Sequence, residues 1–248
     1  MTDLLLVVDF DGTVYRGDAP ARRYAQRISG SLPAAEAEAY LAVFERYIAR
    51  GVAAAQQSAD TVEAAALRES VDHWGAAMNV AARCYGISRD VIEAAFEGTR
   101  RDMLDPSCEL DVVAPLVSAL TELRGAVRVL LATNSPRPGL TPLLERMGVA
   151  AAFDEVVPGA GKPDGLRRLL QRELGADLLA RPWRLFSLGD HYYNEIAPAV
   201  EIGAAAGYID RFGRADGPAT AAAPVVEQLL PAIHAWVADP QAAAVRAA

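Results

Sequence analysis

Residues Leu4–Tyr15 read LLLVVDFDGTVY, and this stretch decides the fold. Five apolar residues, Leu4 to Val8, form a run without polar interruption, the pattern of a parallel strand buried on both faces. The run stops at two carboxylates, Asp9 and Asp11, followed by Gly12-Thr13. In an extended segment residues i and i+2 point the same way, so both carboxylates can face one small site. Ligands of open α/β sheets bind at the carboxyl ends of the strands. Two like charges brought together raise each other's proton affinity unless a cation or an electrophile compensates them.

Composition sets the frame for that stretch. The 248 residues can hold one large domain, or a core with an inserted module. With 52% hydrophobic and 23% charged residues, the chain has the make-up of a well-packed protein and not of a disordered one. Lys and Arg number 24 against 32 Asp and Glu, a net charge of -8 that argues against nucleic acid or an anionic membrane as partner. Phosphorylated substrates stay compatible with it, because a bound divalent cation reverses the local field. The two cysteines, Cys84 and Cys108, lack the spacing of a zinc site or a disulfide framework and read as reduced thiols of a cytoplasmic protein. The N-terminal apolar run is too short and lacks the basic leader of a signal peptide. No apolar span approaches the ~20 residues of a membrane helix.

After Tyr15 the strand signal disappears. Residues 16–105 are alanine-rich, with helical periodicity around Ala19–Ile28, after Pro33 (Leu41, Phe44, Ile48), from Asp60 to Gly86 (Val71, Trp74, Met78, Tyr85) and from Ser88 (Val91, Ile92, Ala95, Phe96). The aromatics among these read as bundle packing. Arg16, Arg22, Arg23 and Arg27 read as exposed helix-face charges, the default for arginine, ahead of any contact with a substrate anion. From Leu110 strands and helices alternate. Helices are expected at Val112–Arg124, from a Thr141 N-cap with Pro142 through Leu143–Met147, at Leu166–Leu174 with Asp164 as cap, at Ile196–Gly203 and at Val225–Val237. Strands are expected at Val127–Ala132, Glu155–Val157, Arg184–Leu188 and Ala205–Ile209. Asp216–Pro224 reads as a loop, and Asp239–Ala248 as a frayed tail. The expected architecture is an α/β core of residues 1–15 and 106–248, interrupted after its first strand by an all-helical insertion, residues 16–105.

Two further positions carry chemistry. Thr133 ends the second core strand, where its hydroxyl and the turn amides can donate to an oxyanion, although Thr-Asn also closes strands as a plain turn. Lys162 is the only lysine of the chain. A site that needs a compact point charge between carboxylates can use lysine where a planar guanidinium does not fit.

Taken with Asp9-Phe10-Asp11-Gly12-Thr13, these pieces resemble the four ordered signatures of the haloacid dehalogenase-like (HAD) hydrolase superfamily. Thr133 resembles its second motif, Lys162 its third, and Gly189-Asp190 with Glu195 its fourth. The resemblance implies a Rossmann-like parallel sheet flanked by helices, with the inserted helices in the position of the family's C1 cap. It implies a Mg2+-dependent phosphatase acting on a small phosphorylated substrate. Asp9 is then nucleophile and metal ligand, and Asp11 general acid/base and a ligand through its backbone carbonyl. Asp190 is a direct ligand. Lys162, Thr133, Asn134 and the amides at Phe10 and Asp11 hold the phosphoryl group. Glu195 stands where the family more often has Asp, one methylene shorter, so it acts through water or leaves that role to Asn194. His191, beside Asp190, reads as a loop residue because Asp11 already fills the acid/base position.

Asp11 also separates chemistries within that family. Relatives that displace halide from carbon lack this carboxylate and need no Mg2+. Phosphonate-cleaving relatives lack it too and carry a cap lysine, and residues 16–105 contain no lysine. A phosphomutase and a non-catalytic member that binds a ligand or protein are the alternatives. The exposed cap helices offer a surface for a homodimer.

Overall fold

The computed structural model describes residues 3–245. They divide into two compact units, one of residues 3–16, 111–211 and 215–245, the other of residues 17–110 and 212–214. The strands in chain order are β1 (Leu4–Val8), β2 (Tyr15–Arg16), β3 (Asp111–Val112), β4 (Val127–Ala132), β5 (Glu155–Val157), β6 (Leu185–Gly189), β7 (Ala205–Ile209) and β8 (Ala221–Ala223). The helices are α1 (Ala19–Ser29), α2 (Ala34–Arg50), α3 (Thr61–Glu69), α4 (His73–Tyr85), α5 (Arg89–Asp102), α6 (Ala114–Leu123), α7 (Leu140–Arg146), α8 (Asp164–Leu174), α9 (Asp177–Ala180), α10 (Ala197–Val200), α11 (Leu230–Ala238) and α12 (Pro240–Val245).

The first unit is a six-stranded parallel sheet in the order β5-β4-β1-β6-β7-β8, flanked by helices. β1 lies centrally, Val8 opposite Leu131 on one side and Leu188 on the other. Both sheet faces are covered, which is why the strands are continuous apolar runs. Leu5, Val7, Leu130 and Ala132 pack with Leu166, Leu169 and Leu170 of α8. The alternate residues Leu6, Val8, Val129 and Leu131 are equally buried. Phe186 lies 5.5 Å from Trp236 of α11, whose indole N–H donates to the Trp183 carbonyl at 2.8 Å. β2 and β3 form a separate antiparallel pair.

The second unit packs α1 to α5 around Tyr24, Ile28, Tyr40, Val43, Phe44, Tyr47, Leu67, Val80 and Ile92. Its buried tyrosines keep their hydroxyls satisfied. Tyr40 donates to the Ala77 carbonyl at 3.0 Å and Tyr47 to the Ser70 carbonyl at 2.9 Å. The buried stripe of α2 is therefore Tyr40, Val43, Phe44 and Tyr47, while Leu41 and Ile48 lie at its margin. Met78, at helical spacing from Trp74, is exposed. Phe212, from the segment after β7, belongs to this unit and packs on Tyr47 at 5.2 Å.

Several expected elements differ, each for a local reason. The single helix expected from Asp60 to Gly86 is two. Ser70 is extended at ψ 124°, and Asp72 caps a new helix by accepting from Gly75 N at 2.6 Å. Asp72 is an N-cap signal as strong as Asp60, and it is read correctly only once the chain is seen to break. α7 starts at Leu140 after Gly139, whose φ of +81° makes the turn, so Thr141 is inside the helix and not its cap. Asp164 likewise sits inside α8, with Pro163 at the cap position. The turn before α10 is a π-helix, Tyr192–Ile196, which shortens the helix expected at Ile196–Gly203. The loop expected at Asp216–Pro224 contains edge strand β8, whose three alanines carry no strand signal. Of the tail expected to fray, Pro240–Val245 is helical and residues 246–248 lie outside the described residues. None of the described helices is long and apolar enough to cross a membrane. Cys84 and Cys108 form no disulfide.

The start of α8 tolerates no side chain at Gly165, where a Cβ would lie 1.6 Å from the Ala160 carbonyl oxygen. That oxygen is backbone and cannot step aside cheaply. Gly165→Ala should cost about 3 kcal/mol, the upper range for overpacking. At about 2–4 °C per kcal/mol for a chain of this size, the melting temperature should fall by roughly 6–12 °C. An unchanged melting curve would contradict this packing.

Candidate active site

The site forms at the carboxyl edge of the sheet, all of it within the first unit. β1 ends at Asp9, whose N–H donates to the Leu188 carbonyl of β6 at 2.9 Å. β4 ends at Thr133-Asn134-Ser135, and β6 ends at Gly189 followed by Asp190. Parallel alignment of β4, β1 and β6 thus brings three chemistry-bearing turns side by side.

Asp9 is buried, 5% exposed, and so is Lys162 at 8%. The Lys162 Nζ donates to Asp9 Oδ1 at 2.6 Å and to Glu195 Oε1 at 2.7 Å. Thr13 Oγ1 donates to Asp9 Oδ2 at 3.3 Å, and the Phe10 main chain also donates to this carboxylate. Lys162 is set by Asn134, whose Oδ1 accepts from the Lys162 N–H at 2.8 Å and whose Nδ2 donates to the Lys162 carbonyl at 3.5 Å. Asn134 therefore braces the lysine loop against the β4 turn. Thr133 is buried, and its hydroxyl oxygen accepts from Ser135 N at 3.0 Å.

Asp190 lies against Gly12. Gly12 has φ +82°, and a Cβ there would stand 2.0 Å from Asp190 Oδ2, so glycine is required both for the turn and for this approach. Glu195 is delivered by the π-turn, which directs it back into the site. Its Oε2 accepts from His191 N at 2.6 Å, and a Cβ on Gly189 would meet it at 2.6 Å. The extra methylene of Glu195 is used to reach Lys162. Asn194 contributes its N–H, which His191 Nδ1 accepts at 3.4 Å, so His191 caps the π-turn.

Charge balance points to a cation. Burial pushes the Glu195 carboxyl up to about 8, with Lys162 opposing and Asp9 adding to the rise. Burial also raises Asp9, again against Lys162. Lys162, despite its own burial, is held protonated by the two carboxylates. One ammonium does not neutralise this cluster, and added positive charge relieves it. Asp9, Asp190 and Glu195 each offer a carboxylate oxygen, all within 4.8 Å of one another. With Mg–O bonds of about 2.0–2.1 Å, ligand oxygens of one octahedral shell are about 3–4 Å apart. The all-oxygen donor set fits Mg2+ and not a thiolate-loving metal.

Arg16, Arg22, Arg23 and Arg27 all have protein partners. Arg22 holds Glu45 at 2.8 and 2.9 Å, Arg27 holds Asp102 at 2.8 Å through two nitrogens, and Arg23 donates to the Ser107 carbonyl at 3.1 Å. Arg16 joins Asp111 at 2.8 Å and Glu227 at 2.5 Å.

Two residues in the site escaped sequence reading. Tyr15 donates its hydroxyl to Asp11 Oδ1, and Ser135 donates to Asp11 Oδ2 at 2.8 Å. The signal for Ser135 was its place two residues after Thr133; Tyr15 had no comparable signal.

The family model for haloacid dehalogenase-like hydrolases matches residues 4–178. The chain belongs to the haloacid dehalogenase-like hydrolases. Solved structures similar to this HAD hydrolase include a predicted phosphoglycolate phosphatase from Haemophilus somnus, 18% identical, covering 93% of this chain and 98% of that one with a TM-score of 0.60. A haloacid dehalogenase-like family hydrolase from Xanthomonas campestris is 18% identical over 96% and 98% of the two chains, with a TM-score of 0.54. The L-2-haloacid dehalogenase RSc1362 is 16% identical over 94% and 100%, with a TM-score of 0.55. At these identities the likeness speaks for the fold, and both phosphatases and dehalogenases share it. No curated protein matches the sequence.

Proposed function

We propose that this HAD hydrolase is a Mg2+-dependent phosphoric monoester hydrolase, acting on a small phosphorylated metabolite through an aspartyl-phosphate. The observation that supports it most is the carboxylate cluster of Asp9, Asp190 and Glu195, in which Asp9 and Glu195 are buried and share one lysine. Displacement of halide from carbon needs no divalent cation, and the resemblance assigns Asp11 to phosphatases. Asp9, Asp190 and Glu195 would hold Mg2+, which when bound supplies charge neutralisation for the phosphoryl oxygens.

In this reading Asp9 attacks phosphorus in line, and the ester P–O bond breaks as the Asp9–P bond forms. Asp11 gives its proton to the departing alkoxide, then takes one from the water that hydrolyses the acyl phosphate. Lys162 balances charge on Asp9 and the phosphoryl oxygens, and Thr133 lies at the strand end from which a hydroxyl can donate to them. In this reading the enzyme works in the cytoplasm, where its two cysteines stay reduced.

A screen of phosphorylated metabolites and p-nitrophenyl phosphate tests this. Phosphate release should require Mg2+, fall below about 1% after EDTA and return with added Mg2+. Halide release from 2-haloalkanoates without phosphate release, or turnover indifferent to EDTA, would overturn it.

A further inference from the structure

Asp11 is held differently from the other carboxylates of the site. Asp9 and Glu195 meet an ammonium; Asp11 meets two hydroxyls, one on each oxygen. Tyr15 is 2% exposed, and its ring stands edge-on to Phe10 at 5.2 Å. Its backbone pairs with Val112 of β3 and bridges to Asp11. Its hydroxyl is thus fixed from three directions. Ser135 is 4% exposed, and its main chain is fixed by the bonds from Gly159 N to its carbonyl at 2.8 Å and from its own N–H to Thr133 Oγ1 at 3.0 Å. Strand β2 presents one donor and the turn after β4 the other, so the plane of the Asp11 carboxyl is set before substrate arrives.

We propose that Tyr15 and Ser135 are positioning residues that orient Asp11 for proton transfer to the leaving oxygen. This rests on the phosphatase reading above. As the P–O bond breaks, the leaving oxygen keeps the bonding pair and takes the Asp11 proton, and Asp11 is left as a carboxylate. Tyr15 and Ser135 then donate to its two oxygens. A hydroxyl both donates and accepts, so the same pair serves the protonated and the ionised carboxyl. Asp9, which attacks as a carboxylate, meets the Lys162 ammonium instead.

Leaving-group dependence separates orientation of the acid from general structural support. Phenoxide is far more basic than p-nitrophenoxide and depends more on protonation. The parameter to follow is kcat/KM, which reports the first phosphoryl transfer. In Tyr15→Phe, kcat/KM for phenyl phosphate should fall about tenfold or more, and that for p-nitrophenyl phosphate no more than about threefold. Ser135→Ala should show the same selectivity. Equal losses on both esters, or no loss, would overturn the proposal. Alongside, Tyr15→Phe, Asp11→Ala and the double variant should show coupling of at least about threefold in the unfolding equilibrium constant. Absence of coupling overturns the clamp whatever the activity. Intact coupling in a protein that hydrolyses neither ester overturns the phosphatase reading, and with it the proton-transfer role.

Discussion

Asp9→Asn should lose Mg2+-dependent hydrolysis of p-nitrophenyl phosphate by a factor on the order of 10⁴ or more, as expected when a nucleophile is removed. The fold should survive. Burial already penalises the ionised Asp9, so a neutral amide in the same space is cheaper to bury. Lys162 keeps Glu195 as partner at 2.7 Å. The melting temperature should therefore match or exceed that of the native protein, the behaviour of a residue retained for chemistry at a cost in stability. Steady-state kinetics and thermal melts on the same preparation read both effects. Native-like turnover in this variant would remove Asp9 from the nucleophile role.

Lys162→Met should fail on both counts. The substitution leaves Asp9 and Glu195 buried without the ammonium that lies 2.6 and 2.7 Å from them. Breaking a buried pair costs about 3–5 kcal/mol. The low end, about 3 kcal/mol, is expected in metal-free buffer at neutral pH, because burial pushes Glu195 up to about 8 and it can take up a proton. Activity should fall about 10²–10³-fold, the scale for losing one preorganised charge at a transition state. The stability deficit should narrow as pH falls. Both carboxyls stand above their unfolded values, so protonation favours the folded form and removes the buried charge. Urea melts at pH 8 and pH 5 measure this; a deficit that grows toward pH 5 would contradict the charge account. Lys162→Arg should not restore activity, since a planar guanidinium cannot occupy a gap built for one nitrogen.

The carboxylates on β1, the lysine and the acidic turn after β6 were legible because each is a short local pattern that ends a strand. Strands β4, β5 and β7 were legible as apolar runs with clear stops. Strand β8 was not, since Ala221–Ala223 gains strand structure only by pairing with β7. The break between α3 and α4 was hidden because alanine-rich periodicity runs through Ser70–Asp72, and the second cap acts only once the chain has turned. The helical unit's share of the segment after β7 had no local sign, because Phe212 finds Tyr47 across 165 residues of sequence.

By itself the sequence determined that a strand delivers two carboxylates to the edge of a parallel α/β sheet, with one lysine, a hydroxyl and a second acidic turn in fixed order. Strand period, apolar runs and residue chemistry are local, and they survive being read in a line. Only the tertiary structure decided what the carboxylates face: an ammonium for Asp9 and Glu195, two hydroxyls for Asp11. Those partners come from turns up to 153 residues away, and burial then sets how strongly each is felt. The Asp9-Phe10-Asp11 motif supplied two equal acids, and their surroundings made them unequal.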